Sequence, residues 1–459
     1  MQAIIEAIHG GIKFINGYLW GPPMLILLIG THIFLTIRLR FIQSYTFFGI
    51  KLSVKKDTEG KGDVSQFGAL TAALAATIGT GNIIGVATAI SMGGPGAVFW
   101  MWITGVLGIA TKYAEGVLAV KYRVKTSDGT MLGGPMYALE KGMKMKWLAV
   151  LFSIFTAIAA FGIGNMVQAN SIAGMVKDTF QIDPVITGIV LAVLTALVIL
   201  GGVKAIAKVT SMLVPLMAFF YVAGCIIILF INGSFIIPAL GLIARSAFTP
   251  EAAGGGFVGA TLMMTLRYGV ARGLFSNESG LGSAPILAAS AQTRNPVRQA
   301  LVSATGTFWD TVVICAMTGL VLVTTIMKFP DTLVNYKDAQ LTKLAFSQIP
   351  VVGPIVLTVG LLTFVYSTIL GWSYYGERAV EYLFGKASII PYRVVWVVAV
   401  FVGSVLSLNL VFDFADAMNA MMAIPNIITL IFLSGVVAAE TKKYLWLKNI
   451  DAVAEEIGG

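Results

Sequence analysis

The chain has 459 residues, of which 57% are hydrophobic and 12% charged, and its formal net charge is +9. With a mean hydropathy of +0.86, it has too few charged residues to cover a water-exposed surface. The composition therefore excludes a soluble globular protein and indicates one that crosses the membrane many times.

Apolar windows of about 20 residues, the length that crosses about 30 Å of hydrocarbon, recur along the chain. The first window follows a segment in which Ile4, Ile8 and Ile12 suggest an interfacial helix. Residues 1–40 then form an N-terminal segment with one extra helix, and 440–459 form a short cytoplasmic tail. About eleven transmembrane helices are predicted, at 20–39, 67–92, 97–122, 147–175, 184–201, 209–231, 255–291, 300–327, 351–382, 394–408 and 415–439.

The distribution of Lys and Arg predicts the orientation, because basic residues accumulate in cytoplasmic loops. An N-terminus outside the cell places 21 of the 31 basic residues on the cytoplasmic side, 6 outside and 4 within helices. We therefore expect a multi-pass protein of the cell membrane with its C-terminus in the cytoplasm. The positive charge then serves topology and attraction to anionic membrane lipids. The chain has no basic stretch interleaved with aromatics, so nucleic-acid binding is not expected, and no obligate protein partner is evident.

Few residues are suited to enzyme chemistry. The two histidines, His9 and His32, lie near the N-terminus, and Cys225 and Cys315 each stand alone in an apolar window. A metal cluster or a Cys–His pair cannot be assembled from them. The chain also lacks a Gly-rich phosphate loop followed by Lys-Ser or Lys-Thr, which argues against a pump driven by ATP hydrolysis. We predict that the protein is not an enzyme, and transport driven by an existing gradient remains.

Glycine-rich polar stretches interrupt two of the windows. They lie at 77–82 (Thr-Ile-Gly-Thr-Gly-Asn) and at 269–285. Unpaired backbone groups are costly in hydrocarbon, so a broken helix is tolerated there only where it lines a cavity or is buried in protein. The alternative is that the glycines only permit close helix packing.

The ten windows after the first divide into two sets of five, at 66–231 and 255–439. Each set begins with an interrupted helix, the second of them near Gly269 and Gly273. An odd number of helices per set gives the sets opposite topology. This arrangement predicts an inverted-repeat transporter whose site lies near the middle of the membrane.

The interrupted stretches also carry a resemblance to a known family. Residues 273–285 are Gly-Leu-Phe-Ser-Asn-Glu-Ser-Gly-Leu-Gly-Ser-Ala-Pro, 79–82 are Gly-Thr-Gly-Asn and 93–96 are Gly-Gly-Pro-Gly. Over essentially its whole length the chain resembles the alanine or glycine:cation symporters, the sodium:alanine symporter family, which are relatives of the leucine-transporter fold. The resemblance implies an all-α membrane protein with a 5+5 inverted-repeat core and two broken helices. It also implies Na⁺-coupled uptake of alanine, glycine or similar small amino acids.

A break in the first interrupted helix would free backbone groups for ligands. N–H groups at the start of its second half suit a carboxylate, because they lie at the positive end of a helix dipole. The freed carbonyls of Ala75 and Ile78 suit a hard cation. The resemblance places a hydroxyl pair, Ser367 and Thr368, on the helix that packs against this break, and the Phe364 carbonyl is a further candidate ligand for Na⁺. The alternative is that both hydroxyls only bond to their own helix.

Further residues are candidates for a small pocket that binds the amino acid. Trp372 lies one turn beyond Thr368 and is expected to restrict the pocket volume. Asn165 and Gln168 share one face of an apolar helix, and we expect their amides to contact either the substrate or another helix. The complete set of predicted substrate-binding residues is Gly79, Thr80, Gly81, Asn82, Asn165, Gln168, Thr265, Gly269, Gly273, Phe275, Asn277 and Trp372.

Charged residues within the apolar windows are costly and should be paired or lie in water-filled paths. For Lys112 with Glu115, and for Glu377 with Arg378, contacts that serve gating or topology are the simple explanation. Asp310 lies near the middle of its window. It is expected to neutralise Arg267 or Arg272, or else to bind a second cation or a proton.

Several functions therefore remain open at this stage. Na⁺-coupled symport of alanine and glycine is the first expectation. Proton coupling or a broader neutral amino-acid range is the alternative within the class of transporters. A cation channel and an amino-acid receptor without transport are less favoured, because the chain has neither repeated polar rings nor a soluble signalling domain.

Overall fold

The computed structural model describes residues 10–454, apart from 13, 15, 58, 250–260, 332–338, 407 and 408. The predicted interfacial positions Ile4 and Ile8, together with His9, lie outside the described residues. So do the first six residues of the 255–291 window and the last five residues of the tail.

The described residues are mostly helical. From Pro22 onward, the helices of the first half are α1 (Pro22–Arg38), α2 (Thr46–Ser53), α3 (Gln66–Thr77), α4 (Val86–Gly93), α5 (Gly96–Lys121), α6 (Pro135–Tyr137), α7 (Lys146–Ala159), α8 (Val167–Phe180), α9 (Pro184–Ile199) and α10 (Gly202–Ile231). A two-residue antiparallel hairpin, β1 (Val124–Lys125) with β2 (Met131–Leu132), follows α5.

The second half of the chain continues in the same way. Its helices are α11 (Ile236–Ser246), α12 (Leu262–Asn277), α13 (Ala284–Ala288), α14 (Pro296–Thr307), α15 (Ala316–Lys328), α16 (Ala339–Ser347), α17 (Val352–Phe384), α18 (Ile389–Val405), α19 (Asn409–Phe432) and α20 (Ser434–Thr441). Short 3₁₀ turns lie at Ile42–Tyr45, Gly233–Phe235 and Lys386–Ser388. Wider π-helical turns lie at Gly81–Gly85, Ala138–Gly142, Ala160–Met166, Phe308–Cys315 and Lys442–Trp446.

Nine of the predicted windows coincide with helices long and apolar enough to cross a membrane. Within the described residues these are eight single helices and one bent helix pair. The window at 184–201 corresponds to α9, which has only 16 residues, and the window at 255–291 is divided between α12 and α13. The apolar helix within Gly233–Ser246 lies in none of the predicted windows and packs against α5 and α15.

The first predicted break is present between α3 and α4. Ser65 caps the start of α3, since its Oγ accepts a hydrogen bond from the Gly68 N–H at 3.0 Å. The helix ends at Thr77, and Ile78 is in an extended conformation. The segments before and after the break differ in direction by 54°. Asn82 Oδ1 accepts from the Gly79 N–H at 2.9 Å, so a side chain satisfies one backbone donor that the break exposes.

The second break lies further along the chain than predicted. Helix α12 runs without interruption through Gly269 and Gly273 and ends at Asn277. The non-helical residues are 278–283, where Gly280 and Gly282 have φ of +91° and +89°. Glycine adopts this left-handed conformation without steric cost, so the turn forms there and the prediction of a break near Gly269 and Gly273 was wrong.

Gly269 and Gly273 instead allow close packing of α12 on α5. A Cβ added at Gly269 would lie 2.4 Å from the Ala97 carbonyl oxygen, and one added at Gly273 would lie 2.2 Å from Thr104 Oγ1. Small residues at helix interfaces permit this approach. The alternative interpretation, that these two glycines permit close helix packing, therefore holds in the structure.

The breaks lie where several helices meet. Helix α5 packs against α12 and α14, and α17 packs against α3, α7 and α10. The contact between α3 and α17 brings the first break against the helix that carries the predicted hydroxyl pair. Helix α1 packs on α5, where His32 Nδ1 lies 2.7 Å from Thr111 Oγ1.

Candidate functional site

Five oxygen atoms predicted to hold a cation converge where α3 ends against α17. Ser367 Oγ donates to the Ala75 carbonyl at 3.2 Å and to the Phe364 carbonyl at 2.8 Å. Thr368 Oγ1 lies 3.5 Å from the Ile78 carbonyl and 3.1 Å from that of Phe364. All five residues are buried, so α17 brings two hydroxyls to the carbonyls at the end of α3.

The five oxygens of this cluster are of the kind that could hold a cation. Hard cations prefer oxygen ligands, and all five oxygens belong to neutral groups. Each hydroxyl also bonds to the Phe364 carbonyl of its own helix. The alternative interpretation, in which the hydroxyls bond within their own helix, is therefore also met. Within the described part of the chain, no group of three or more His, Cys, Asp or Glu side chains could hold a metal ion.

Gly79 is required for the close approach of the break to α17. A Cβ added there would lie 2.6 Å from Thr368 Oγ1, which is closer than van der Waals contact. Gly81 faces the other interrupted helix, because its added Cβ would lie 3.3 Å from both Phe275 and Ser276. The two glycines thus place the first break between α17 and α12.

Asn82 and Asp310 join the first break to the second interrupted helix. Asn82 Nδ2 donates to Asp310 Oδ1 at 2.7 Å. Ser276 Oγ and Thr311 Oγ1 donate to Asp310 Oδ2 at 2.9 and 2.6 Å. The carboxylate is fully buried and sits in the π-helical turn Phe308–Cys315, a feature that is frequent at functional sites.

The predicted pairing of Asp310 with an arginine is wrong. The guanidinium groups of Arg267 and Arg272 lie over the rings of Tyr268 and Phe275, at 6.0 and 5.8 Å from the centroids. Both arginines are half-buried, whereas Asp310 is enclosed and already accepts from three neutral side chains. An arginine on a partly exposed face keeps its charge solvated at lower cost than one drawn into the interior.

The amides of Asn165 and Gln168 each present a buried oxygen without a described partner. Asn165 Nδ2 donates to the Trp396 carbonyl at 2.9 Å, and Gln168 Nε2 donates to the Ile163 carbonyl at 2.9 Å. Among the described residues, Asn165 Oδ1 and Gln168 Oε1 have no hydrogen-bond partner. Two unpaired acceptors on one helix face suit an ammonium group.

Trp372 lies against this helix face. A Cβ added at Gly164 would lie 2.2 Å from Trp372 Cβ, so the Gly164 backbone and the tryptophan are in direct contact. Trp372 is 1% exposed, which places it in the interior rather than at a membrane interface. Its indole N–H donates to Glu278 Oε1 at 3.0 Å.

Other predicted pocket residues occupy different places. Thr265 Oγ1 donates to the Gly93 carbonyl at 2.7 Å, so Thr265 joins α12 to the end of α4, three turns before the second break. Asn277 Oδ1 accepts from the Ser279 N–H at 2.9 Å, and its buried Nδ2 has no partner among the described residues. Thr80 and Phe275 are half-buried beside the breaks.

Two buried carboxylates at the second break were not among the predicted site residues. Glu278 contacts Trp372, and Glu115 Oε1 accepts from the N–H groups of Gly280 and Gly282, each at 3.1 Å. Glu115 Oε1 also accepts from Asn426 Nδ2 at 2.7 Å. For Glu278 the sequence signal was a glutamate inside the glycine-rich motif, but its partner Trp372 lies on a distant helix.

The charged side chains near the end of α17 form ion pairs. Glu377 pairs with Arg378 at 3.0 Å and with Arg393 of α18 at 2.6 Å. These contacts join α17 to α18 at a distance from the breaks. Lys112 Nζ is buried and has no hydrogen-bond partner among the described residues; it lines a cavity of about 10 Å³ with Thr77 and Ser303.

The sequence as a whole matches one family model. The model describes the sodium:alanine symporter family and matches residues 5–456. The chain belongs to the sodium:alanine symporter family. This confirms the resemblance seen in the glycine-rich motifs and identifies the protein as a multi-pass membrane transporter rather than an enzyme.

Individual members of the sodium:alanine symporter family align over nearly the whole chain. The sodium/alanine symporter AgcS of Methanococcus maripaludis is 52% identical over 448 residues, which cover 96% of this chain and 98% of that protein. The probable sodium/glutamine symporter GlnT of Bacillus subtilis is 36% identical over 456 residues, covering 97% and 91%.

Solved structures show the fold of this sodium:alanine symporter family member. MhsT in complex with L-phenylalanine has a TM-score of 0.58 at 15% identity and covers 86% of this chain and 94% of that one. A Na⁺-coupled sialic acid symporter in a substrate-bound outward-open state has a TM-score of 0.53 at 10% identity, with coverages of 92% and 86%. At such identities the likeness establishes the fold alone.

Proposed function

We propose that the protein is a secondary active transporter that couples Na⁺ entry to the uptake of small neutral amino acids, alanine and glycine foremost. The observation that carries the proposal is the convergence of the Ala75 and Ile78 carbonyls with the Ser367 and Thr368 hydroxyls at the first break. Oxygens of neutral groups favour a monovalent over a divalent cation, because they bring no negative charge to balance a second positive charge. The family and the relatives named as sodium symporters support the same ion.

The amino acid would bind beside this cation. Its carboxylate meets the N–H groups of Thr80 and Gly81 at the start of the second helix half. Its ammonium group donates to the free amide oxygens of Asn165 and Gln168. Trp372 limits the room for the side chain, which favours small substrates.

Transport then follows alternating access. The interrupted helices and the helices packed on them rock against α17 and its neighbours, so that the site faces one side of the membrane and then the other. One positive charge moving through about 100 mV supplies roughly 2.3 kcal/mol. The protein lies in the cell membrane among its lipids, with the N-terminus outside and the C-terminus in the cytoplasm, as the distribution of basic residues favours. The two sets of five helices, at 66–231 and 255–439, form the inverted repeat, and each contributes one interrupted helix to the moving part. Residues 1–40 and 440–459 flank the repeat.

Uptake into proteoliposomes tests this function. Labelled alanine is supplied with an inward gradient of Na⁺, of K⁺ or of protons, each imposed alone at a fixed membrane potential. We expect accumulation only with Na⁺, and competition by unlabelled alanine and glycine. Uptake that is indifferent to Na⁺ contradicts the coupling, and a Na⁺ current without amino acid indicates a channel.

A second coupling ion at Asp310 is the other candidate. It is favoured by the burial of this carboxylate and by its neutral hydrogen-bond partners, Asn82, Ser276 and Thr311. The number of charges moved per alanine in Asp310→Asn is compared with that in the unaltered protein. A second coupling ion predicts a fall by one charge, and an unchanged ratio assigns Asp310 to joining the two breaks.

A further inference from the structure

One hydrogen bond joins the second break to α17. The Trp372 indole N–H donates to Glu278 Oε1 at 3.0 Å, and the two residues are 1% and 3% exposed. Trp372 lies one turn beyond Thr368 on α17, and Glu278 is the first residue after α12. The contact thus spans from the helix of the cation cluster to the interrupted helix that faces it.

We propose that Glu278 is a positioning residue that holds the Trp372 indole in one orientation and thereby limits the side chain that the transporter accepts. The proposal rests on the function proposed above, since it requires an amino-acid pocket beside Trp372. It assigns a specificity role to a carboxylate that neither binds the cation cluster nor pairs with a basic side chain in a described ion pair.

The backbone conformation at Glu278 indicates that this position holds a glutamate because of its side-chain contacts. Its φ is +56°, in the left-handed region where a side chain is disfavoured and glycine is not. Two glycines occupy similar conformations in the same turn, at 280 and 282. A glutamate at this position is therefore explained by what the carboxylate contacts rather than by the turn.

The carboxylate is itself held from two directions. Its Oε2 accepts from Ser283 Oγ at 2.5 Å, immediately before α13. The turn between Glu278 and Ser283 is anchored from the other side by Glu115, which accepts from the N–H groups of Gly280 and Gly282. Because the two ends of the turn are joined and its middle is anchored, Glu278 offers its remaining oxygen to Trp372 in a defined position.

The Trp372 side chain also packs against a helix backbone and an aromatic ring. The Gly164 backbone packs on Trp372 Cβ, and the Tyr375 ring lies at 5.3 Å in an edge-on arrangement. A buried indole N–H needs an acceptor. Without Glu278 the N–H would be unpaired, and reorientation of the ring would enlarge the space beside Asn165.

Four variants test this role. Labelled-alanine uptake is measured in competition with glycine, serine, valine and leucine for the unaltered protein, Glu278→Ala, Glu278→Gln, Trp372→Phe and Glu115→Gln. Removing the acceptor should strengthen competition by valine relative to alanine by about fivefold, the change that loss of one hydrogen bond produces. Glu278→Gln keeps an acceptor for the indole and a donor for Ser283, so it should retain the original preference.

Glu115→Gln is the matched control. Glu115 is a buried carboxylate that holds the same turn but does not contact Trp372. Glu115→Gln keeps an oxygen that accepts from the Gly280 and Gly282 N–H groups, so the turn should stay in place and the ratio of valine to alanine should not change. An equal change of preference in Glu115→Gln, or an unchanged preference in Glu278→Ala, overturns the proposal. The substrate preference of Glu278→Ala combined with Trp372→Phe should match that of Trp372→Phe alone, since either substitution removes the same hydrogen bond.

A measurement without transport separates this proposal from the function on which it rests. The emission of Trp372 is obtained as the fluorescence difference between each protein and the same protein carrying Trp372→Phe. Glu278→Ala should shift that emission, whereas Glu115→Gln should not. Absence of alanine uptake by the unaltered protein contradicts the proposed function, and an unshifted emission contradicts the positioning role whatever is transported. If Glu278→Ala protein does not fold, Glu278→Leu in the same two assays supplies the outcome.

Discussion

Thr368 belongs to the oxygen cluster and also packs directly against the first break. Its hydroxyl lies between the Ile78 and Phe364 carbonyls, and Gly79 leaves the space that lets the break approach it. A buried hydroxyl that bonds only to its own helix would not require a glycine opposite. The pairing of a small residue on α3 with a hydroxyl on α17 therefore favours a ligand role.

We expect Thr368→Val to weaken activation of alanine uptake by Na⁺ about tenfold, because loss of one charge-assisted contact costs about 1.5 kcal/mol. The measurement is the Na⁺ concentration for half-maximal uptake. Thr363→Val is the control, since its hydroxyl bonds to Val359 and Gly360 on the same helix. Equal Na⁺ affinity in both variants contradicts the ligand role.

Gln168 permits a test of the ammonium contact. Gln168→Met keeps the length of the side chain and removes its oxygen, so the concentration of alanine for half-maximal uptake should rise about tenfold. Asn170→Leu, two residues further on, breaks hydrogen bonds to Gly403 and Leu406 and provides the comparison. If the two variants raise that concentration equally, the effect comes from helix packing.

At the scale of elements, the second interrupted helix is positioned by contacts along its continuous part. Helix α12 is pressed against α5 at Gly269 and Gly273, and this contact holds the end of α12 next to the first break. The glycines of α12 and those of the break at α3 thus serve different purposes. The former bring helices together, and the latter free backbone groups.

Gly273→Ala should destabilise the protein by about 1–3 kcal/mol, since the added methyl overlaps Thr104 Oγ1. Gly360→Ala on α17 is the matched change, because its nearest neighbour would lie 3.9 Å away, at Tyr221. Thermal unfolding of both proteins in one detergent gives the comparison. A Gly273→Ala protein as stable as Gly360→Ala would show that α12 and α5 separate without cost.

At the scale of the whole molecule, a buried ion pair ties three distant segments together. Asp57 contacts Arg294 at 2.9 Å and Arg298 at 3.2 Å, and Arg298 contacts Asp451 at 2.6 Å. The side chains of Asp57 and Arg298 are fully buried, whereas that of Asp451 is 60% exposed. The segment before α3, the start of α14 and the C-terminal part of the chain therefore meet at one point.

Breaking this junction from its two sides should have unequal effects. Asp57→Asn leaves Arg298 buried beside a neutral group and should cost about 3 kcal/mol of stability. Asp451→Asn removes an exposed partner and should cost less than about 1 kcal/mol. Thermal unfolding at low and high salt is the measurement, with a salt effect expected only for the exposed pair. Equal losses of stability in the two variants would show that the Asp57 side chain is hydrated.

Local sequence determined the class of the protein, the position of the first break and the family. Hydrophobic windows report membrane helices because every residue in them contributes to the same transfer free energy. Glycines at 79 and 81 mark the first break because they and Asn82 act within a few residues of one another. The family motif is likewise a continuous stretch.

Tertiary structure alone decided which glycines break a helix and which partners the buried charges take. Gly269 and Gly273 have the composition of a break, but their neighbours on α5 make them packing positions, and the turn forms at 278–283. Asp310 accepts from Asn82 and Ser276 rather than pairing with Arg267 or Arg272, and Glu278 accepts from the Trp372 indole N–H of α17. Such partners lie far apart along the chain, and contacts of this kind depend on the helix packing that brings them together.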